Sequence, residues 1–177
     1  LFNRALMASY PPGSTFKTVQ ALIAMQDGVI NENTGFPCNK SLVGCHNHPA
    51  AGDVTSSIKM SCNPYYFNVF RKIILQNKSK SLFKDSEIGL AQWSKHVKKF
   101  GLGVRLETDL PAVKKGFIPD VDFYNKWYGK GHWAFSTIYS LSIGQGEIGV
   151  VPLQMANLSA ILSNRGYFYT PHLLKRI

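Results

Sequence analysis

The 177-residue chain carries 20 Lys and Arg against 10 Asp and Glu, a formal charge of +10, with 45% hydrophobic and 17% charged residues. These figures fit one globular domain with a real core. They exclude a bilayer-spanning segment within the chain, since no apolar run is long enough, and no signal-peptide pattern opens it, so any anchor is expected upstream.

Taken in chain order, the pattern predicts mostly helices. The first runs from Ser14 to Gln26, follows Pro11-Pro12-Gly13 and stops at Asp27-Gly28; with Phe16, Val19, Ala21, Leu22 and Ile23 it is apolar almost all round, so it should be buried. Residues 31–53 are rich in Asn, Gly, Pro, Cys and His and hold no period, so they read as a long loop. A helix near Val54 to Met60 leads to a turn at Ser61. Another spans Pro64 to Leu75, with Asn63 as its expected N-cap, because proline suits the first helical position and asparagine caps well. The next covers Ser86 to Phe100 and ends at Gly101. Residues 104–133 read as turns and extended pieces broken by Pro111 and Pro119, Thr137 to Ile143 reads as strand-like, and a last helix occupies Pro152 to Ser163.

Two constellations carry chemistry. Ser14 and Lys17 are three apart, so on a helix they share one face. A serine hydroxyl becomes a nucleophile when a base takes its proton, and a lysine serves as that base when burial lowers its pKa. Alone, the pair also reads as an N-cap beside a solvated charge. Forty-four residues after Lys17 comes Ser61-Cys62-Asn63, where a hydroxyl for proton relay and an amide for a peptide substrate sit on one tight turn.

Ser-x-x-Lys followed by Ser-x-Asn resembles the opening pair of the three-part set of penicillin-binding proteins and class A β-lactamases. The resemblance extends through Lys99-Phe100-Gly101-Leu102-Gly103, Asp109-Leu110-Pro111, Gly116-Phe117-Ile118-Pro119, Ser142 to Glu147 and Pro152 to Asn157. The chain is thereby similar to the transpeptidase domain of class B penicillin-binding proteins, nearest their elongation-specific branch. That implies an α+β fold of the β-lactamase and DD-transpeptidase type, of which residues 1–177 form a single partial domain holding the helical part, with most of the five-stranded sheet outside.

The resemblance implies a serine acyl-enzyme mechanism on D-Ala-D-Ala stem peptides, cross-linking peptidoglycan in cell-wall elongation. Ser14 would be the nucleophile, Lys17 the base, Ser61 the relay and Asn63 the amide contact. It further implies β-lactam antibiotics as ligands and no cofactor for catalysis. A membrane-embedded glycan polymerase and other elongation-complex proteins would be partners, at the periplasmic face of a bacterial inner membrane. The third motif, Lys-Thr-Gly or Lys-Ser-Gly, is absent: Lys114-Lys115-Gly116 and Lys130-Gly131 lack the hydroxyl residue. The expectation is that the chain stops short of it, so the isolated fragment should acylate poorly. Alternatives are a β-lactamase or β-lactam sensor of the same fold, or a zinc-stapled interaction module without chemistry.

The basic charge does not indicate nucleic acid: the lysines are scattered, the cluster of Lys95, Lys98 and Lys99 fits a solvated helix face, and no nucleic-acid motif accompanies them. Nor is a nucleotide expected. Gly144 to Gly149 matches G-x-G-x-x-G, but Val150 and Val151 separate its last glycine from the helix, and no Asp or Glu follows Glu147 to hold a ribose. These glycines are expected instead to let backbone pass close to the first helix. Within the loop, Cys38, Cys45, His46 and His48 offer zinc ligands, with Asp53 as a further donor and His48 the less strained imidazole. A structural zinc, a Cys38–Cys45 disulfide with Cys62 left as a buried thiol, or neither are the readings. Some elongation-type relatives resemble this in carrying a zinc staple between the two motifs.

Overall fold

The computed structural model describes residues 2–174, which form helices joined by ordered loops. They are α1 (Arg4–Met7), α2 (Lys17–Gln26) entered through a 3-10 turn (Gly13–Phe16), α3 (Val54–Lys59), α4 (Asn63–Ile74), α5 (Leu82–Lys99), α6 (Val121–Tyr128), α7 (Phe135–Ile138) running into a 3-10 segment (Tyr139–Ile143), and α8 (Pro152–Ser163). Among the described residues, extended pairing is limited to isolated bridges, Tyr10 with Val150, Phe36 with Ala51 and Phe117 with Gly149. No helix there is long and apolar enough to cross a membrane.

Helix α4 is the central post. Its Tyr65, Tyr66, Val69, Phe70, Ile73 and Ile74 are fully buried, and it packs against α2, α5 and the 139–143 segment. Trp93 of α5 locks the layers together by meeting Phe16 and Phe70 edge-on, at 6.0 and 5.4 Å between centroids. Gly89 lets α4 and α5 touch: a Cβ there would collide with the Ile74 carbonyl.

Several boundaries differ from expectation. Helix α5 begins four residues before Ser86, because the Ser81 hydroxyl accepts from the Lys84 N–H and caps it. Helix α6 lies within residues 104–133, which read as turns. Its start is Asp120, whose carboxylate accepts from the Phe123 N–H at 3.1 Å, so Pro119-Asp120 was an entry signal, not a break. Residues 137–143 are helical, not strand-like. The buried positions are Phe135, Ile138, Leu141 and Ser142, a spacing of three and four that the interspersed Thr and Ser hid. Asn63 is the first residue of α4 and Cys62 is its cap residue, so Asn63 spends its side chain elsewhere. Helix α2 is not sealed all round, since Leu22 is 37% exposed.

Candidate active site

The 3-10 turn carrying Ser14 is held from behind. Tyr10 and Val150 exchange both backbone hydrogen bonds, and the Gly13 N–H donates to the Gly144 carbonyl at 2.9 Å. Gly144 sits at φ 69°, and a Cβ there would collide with the Gly13 carbonyl and the Phe16 side chain, so only glycine fits. This is where the glycine-rich stretch approaches the first helix. Gln20, fully buried, adds a tie: its amide donates to the Leu141 carbonyl at 3.0 Å and accepts from Trp93 Nε1 at 2.8 Å.

Lys17, the first residue of α2, is 1% exposed. Its Nζ donates to the Ser61 carbonyl at 2.6 Å, to Ser61 Oγ at 2.9 Å and to Asn63 Oδ1 at 2.6 Å. It also lies 5.7 Å from the centroid of the Tyr66 ring. The three acceptors match the three ammonium hydrogens. Ser61 turns its carbonyl inward by adopting φ 49°, a left-handed conformation that costs a non-glycine residue. Burial lowers the Lys17 pKa from 10.5 to about 8, against the opposing pull of the Cys45 and Cys62 sulfurs. Ser14 is exposed, and among the described residues its hydroxyl makes no hydrogen bond to Lys17 Nζ. The structure therefore joins Lys17, Ser61 and Asn63 directly and leaves Ser14 exposed beside them, one turn from Lys17.

The other side of Asn63 leads to the cysteine loop. Its Nδ2 donates to the Gly44 carbonyl at 2.7 Å, and its backbone N–H points to Cys45 Sγ at 3.4 Å. Cys38, Cys45, His48 and Cys62 bring four donor atoms within 4.8 Å of one another. His48 Nε2 is 3.4 Å from Cys38 Sγ and 3.3 Å from Cys45 Sγ. Burial raises the Cys45 pKa, but hydrogen bonds from the Asn63 N–H, His48 and Cys38 outweigh it and hold the thiol below its usual value. Burial pushes the Cys62 thiol up.

Three readings of the loop need correction. All three cysteines are free thiols, so no Cys38–Cys45 disulfide is present. Cys62 is not a bystander but a member of the group, which the sequence concealed because it lies inside Ser-x-Asn, far from the loop in the chain. His46 and Asp53 stand outside the group: His46 Nδ1 approaches only Cys45, at 4.0 Å, while Asp53 caps α3 by accepting from the Ser56 N–H at 2.6 Å. An aromatic and acidic pair was also missed. Buried Tyr124 on α6 donates to Glu147 Oε2 at 2.6 Å, anchoring the loop that follows Gly144.

Comparison with known proteins gives a consistent family. The family model described as the penicillin binding protein transpeptidase domain matches residues 1–177. The peptidoglycan D,D-transpeptidase MrdA of Acinetobacter baumannii is 29% identical over 99% of this chain and 25% of the relative. Its Escherichia coli K12 namesake is 29% identical over 98% of this chain and 26% of its own length. The chain thus spans about a quarter of the curated relatives it matches. A crystal structure of penicillin-binding protein 2 from Pseudomonas aeruginosa superposes with a TM-score of 0.78 at 25% identity, over 99% of this chain and 38% of that one. Helicobacter pylori penicillin-binding protein 2, solved in complex with MreC, gives 0.74 at 25% identity, over 97% and 30%.

Proposed function

The chain belongs to the penicillin-binding protein transpeptidase domain family, with relatives of the penicillin-binding protein 2 type, and on that premise we propose that it supplies the acylating half of a peptidoglycan D,D-transpeptidase. The observation that carries the reading is the buried Lys17 ammonium, held by Ser61 and Asn63 and set near pH 8.

The chemistry follows from which of its three contacts Lys17 can give up. A neutral amine keeps two hydrogens and exposes a lone pair. The Ser61 carbonyl and Asn63 Oδ1 can only accept, whereas the Ser61 hydroxyl can reverse and donate. Ser61 Oγ, also the longest contact at 2.9 Å, is the partner that tolerates a neutral lysine. Neutral Lys17 then takes the Ser14 proton as Oγ attacks the penultimate D-alanine carbonyl of a stem peptide. The Ser14 N–H, in the turn that opens the helix, is among the donors left free of intrahelical partners and would serve the oxyanion. As the peptide C–N bond breaks, the proton passes from Lys17 through Ser61 Oγ to the departing D-alanine amine. An amine from a neighbouring stem next attacks the Ser14 ester. It gives up its proton along the same path and restores the serine. A β-lactam would acylate Ser14 in place of the stem.

Cys38, Cys45, His48 and Cys62 fit a structural zinc. For tetrahedral sites with Zn–S near 2.3 Å, sulfurs sit roughly 3.8 Å apart, within the 4.8 Å envelope of these donors. Zinc bound there would supply a cross-link between the 31–53 loop and the turn before α4, taking no part in the acyl transfer. In this reading residues 1–177 are one part of a larger transpeptidase domain. It works at the periplasmic face of the inner membrane, beside a glycan polymerase and elongation-complex proteins.

The test is acylation of the full-length parent by a fluorescent penicillin. Wild type should label stoichiometrically at Ser14, while Ser14→Ala and Lys17→Ala should lose labelling with the fold intact by circular dichroism. Unchanged labelling of Ser14→Ala would end the reading. Absence of labelling in wild type, with zinc retained, would favour the stapled interaction module, and rapid turnover of a hydrolysable β-lactam would favour a lactamase.

A further inference from the structure

Away from the cleft, the region where α4 ends and α5 begins has an unusual charge balance. Residues 54–84 hold Lys59, Arg71, Lys72, Lys78, Lys80 and Lys84 and not one Asp or Glu. The fold gathers part of this set around a groove of about 510 Å³, into which Arg71, Lys72 and Lys80 face. None of these three has an ion-pair partner among the described residues, where the salt bridges are Lys84–Glu87, His96–Asp27 and Lys98–Asp120.

One acid borders the groove, Asp85, and its charge is already enclosed. It is 3% exposed, and its two carboxylate oxygens accept from the Asn77 and Lys78 N–H groups at 3.0 and 2.8 Å. Lys78 in turn aims its ammonium at Gln92, not into the groove. Asp85 thus builds the turn that presents Lys80 without neutralising it. The groove is left with three free cations, a site for anions.

The remaining lining says which kind of anion. Asn68, Asn77 and Ser79 bring neutral donors and acceptors, and Phe36 and Leu75 supply a half-buried apolar floor. A purely phosphate-binding surface needs cations and N–H donors. Amide side chains interleaved with apolar contacts suit a peptide, whose own amides and methyl groups need partners. The volume lies in the range of sites that enclose a short ligand, roughly 300–1,000 Å³.

Position adds a third argument. Helix α4 carries Asn63 at its first residue and Arg71 and Lys72 in its last turn. At 1.5 Å per residue, Arg71 and Lys72 lie about 12–14 Å along α4 from Asn63, the reach of a few extended residues. Phe36 lines the groove and meets the buried ring of Tyr65, in the first turn of α4, edge-on at 5.1 Å, so the groove floor is anchored on the same helix that carries Asn63.

We infer that the groove formed by Arg71, Lys72 and Lys80 is a second peptidoglycan subsite, binding the carboxylate-bearing part of a stem peptide next to the one in the cleft. This rests on the transpeptidase reading. Its role is to hold the strand while Ser14 is acylated.

The experiment uses the full-length protein with its cleft filled by a covalently bound penicillin, so that only binding outside the cleft is read. The probes are soluble uncross-linked peptidoglycan strands with free stem carboxylates, and the same strands with those carboxylates amidated. Native strands should bind the acylated wild type. The triple variant Arg71→Ala, Lys72→Ala, Lys80→Ala should bind them at least tenfold more weakly. Amidated strands should bind wild type as poorly as native strands bind the triple variant. A control triple, Lys95→Ala, Lys114→Ala, Lys126→Ala, removes the same charge from exposed positions elsewhere. Equal loss in both triples would overturn the groove in favour of net charge. Unchanged binding in the groove triple would overturn it outright. So would displacement of strands by inorganic pyrophosphate or anionic vesicles as readily as by free stem peptide. Failure of penicillin to label Ser14 would count against the transpeptidase reading instead, and the groove would still be judged by comparing the two triples without acylation.

Discussion

The pH dependence of acylation follows directly from the surroundings of Lys17. Burial lowers its pKa from 10.5 to about 8. At pH 7 that leaves about 10% of the lysine neutral, whereas an ordinary lysine would be neutral in only about 0.03% of molecules. The active fraction should climb to about 50% at pH 8 and about 90% at pH 9, a ninefold rise that then levels off. Stopped-flow measurement of the second-order rate with a fluorescent penicillin, on the full-length protein from pH 6 to 10, reads this curve. Stability should follow with its own sign. A lysine depressed in the folded state binds fewer protons than the unfolded chain between about pH 8 and 10.5, so its contribution favours folding as pH rises through that window and penalises it below. A rate still growing tenfold per unit above pH 9, or one flat from pH 6 to 9, would refute Lys17 as a base tuned by burial.

Four further outcomes are expected. The isolated 177-residue chain should label weakly or not at all with fluorescent penicillin, for want of the third motif; fast stoichiometric labelling at Ser14 would show that the first two motifs suffice. Purified without chelator, the protein should hold about one zinc per chain by elemental analysis. Cys62→Ala should abolish its retention and lower the melting temperature. A metal-free protein with a mapped Cys38–Cys45 disulfide would dispose of the staple. Gly89→Ala should cost at least about 2 kcal/mol in urea denaturation, because the new methyl meets the Ile74 carbonyl. The exposed Ala91→Gly on the same helix should cost only about 1 kcal/mol. Tyr124→Phe removes the 2.6 Å donor to Glu147 and should cost about 1.5–3 kcal/mol; a change under about 0.5 kcal/mol would mean that water replaces the hydroxyl.

The helices were most legible where a local signal agreed with packing. Proline at the start of α4 and α8, with apolar faces turned inward, placed both elements within a residue of their observed limits. The signal failed where the core imposed a helix on ambiguous residues. Residues 135–143 mix β-branched and hydroxyl side chains, and only burial against α4 decides for the helix. Helix α6 is short, and it was obscured by Pro119, which looked like a break.

The site divides in the same way, between what spacing can say and what only tertiary contact can. Ser-x-x-Lys identifies a lysine one turn from a hydroxyl, and spacing alone cannot tell which acceptors that lysine prefers. Here the left-handed Ser61 and the uncapped Asn63 offer three oxygens, and Lys17 takes all of them. The place of Cys62 in the thiol group was invisible for the same reason, since its neighbours there lie 14 to 24 residues earlier in the chain. The consequence is a division of labour on three consecutive residues. Ser61 holds the lysine, Cys62 faces the thiol group, and Asn63 touches both sides, accepting from Lys17 while donating to Gly44 and Cys45. A disturbance of the loop therefore reaches Lys17 through one residue, Asn63. Replacing Asn63 by Asp would lose the donor to Gly44 and set a carboxylate against Lys17 Nζ, so the acylation profile should move to higher pH as the ammonium is stabilised.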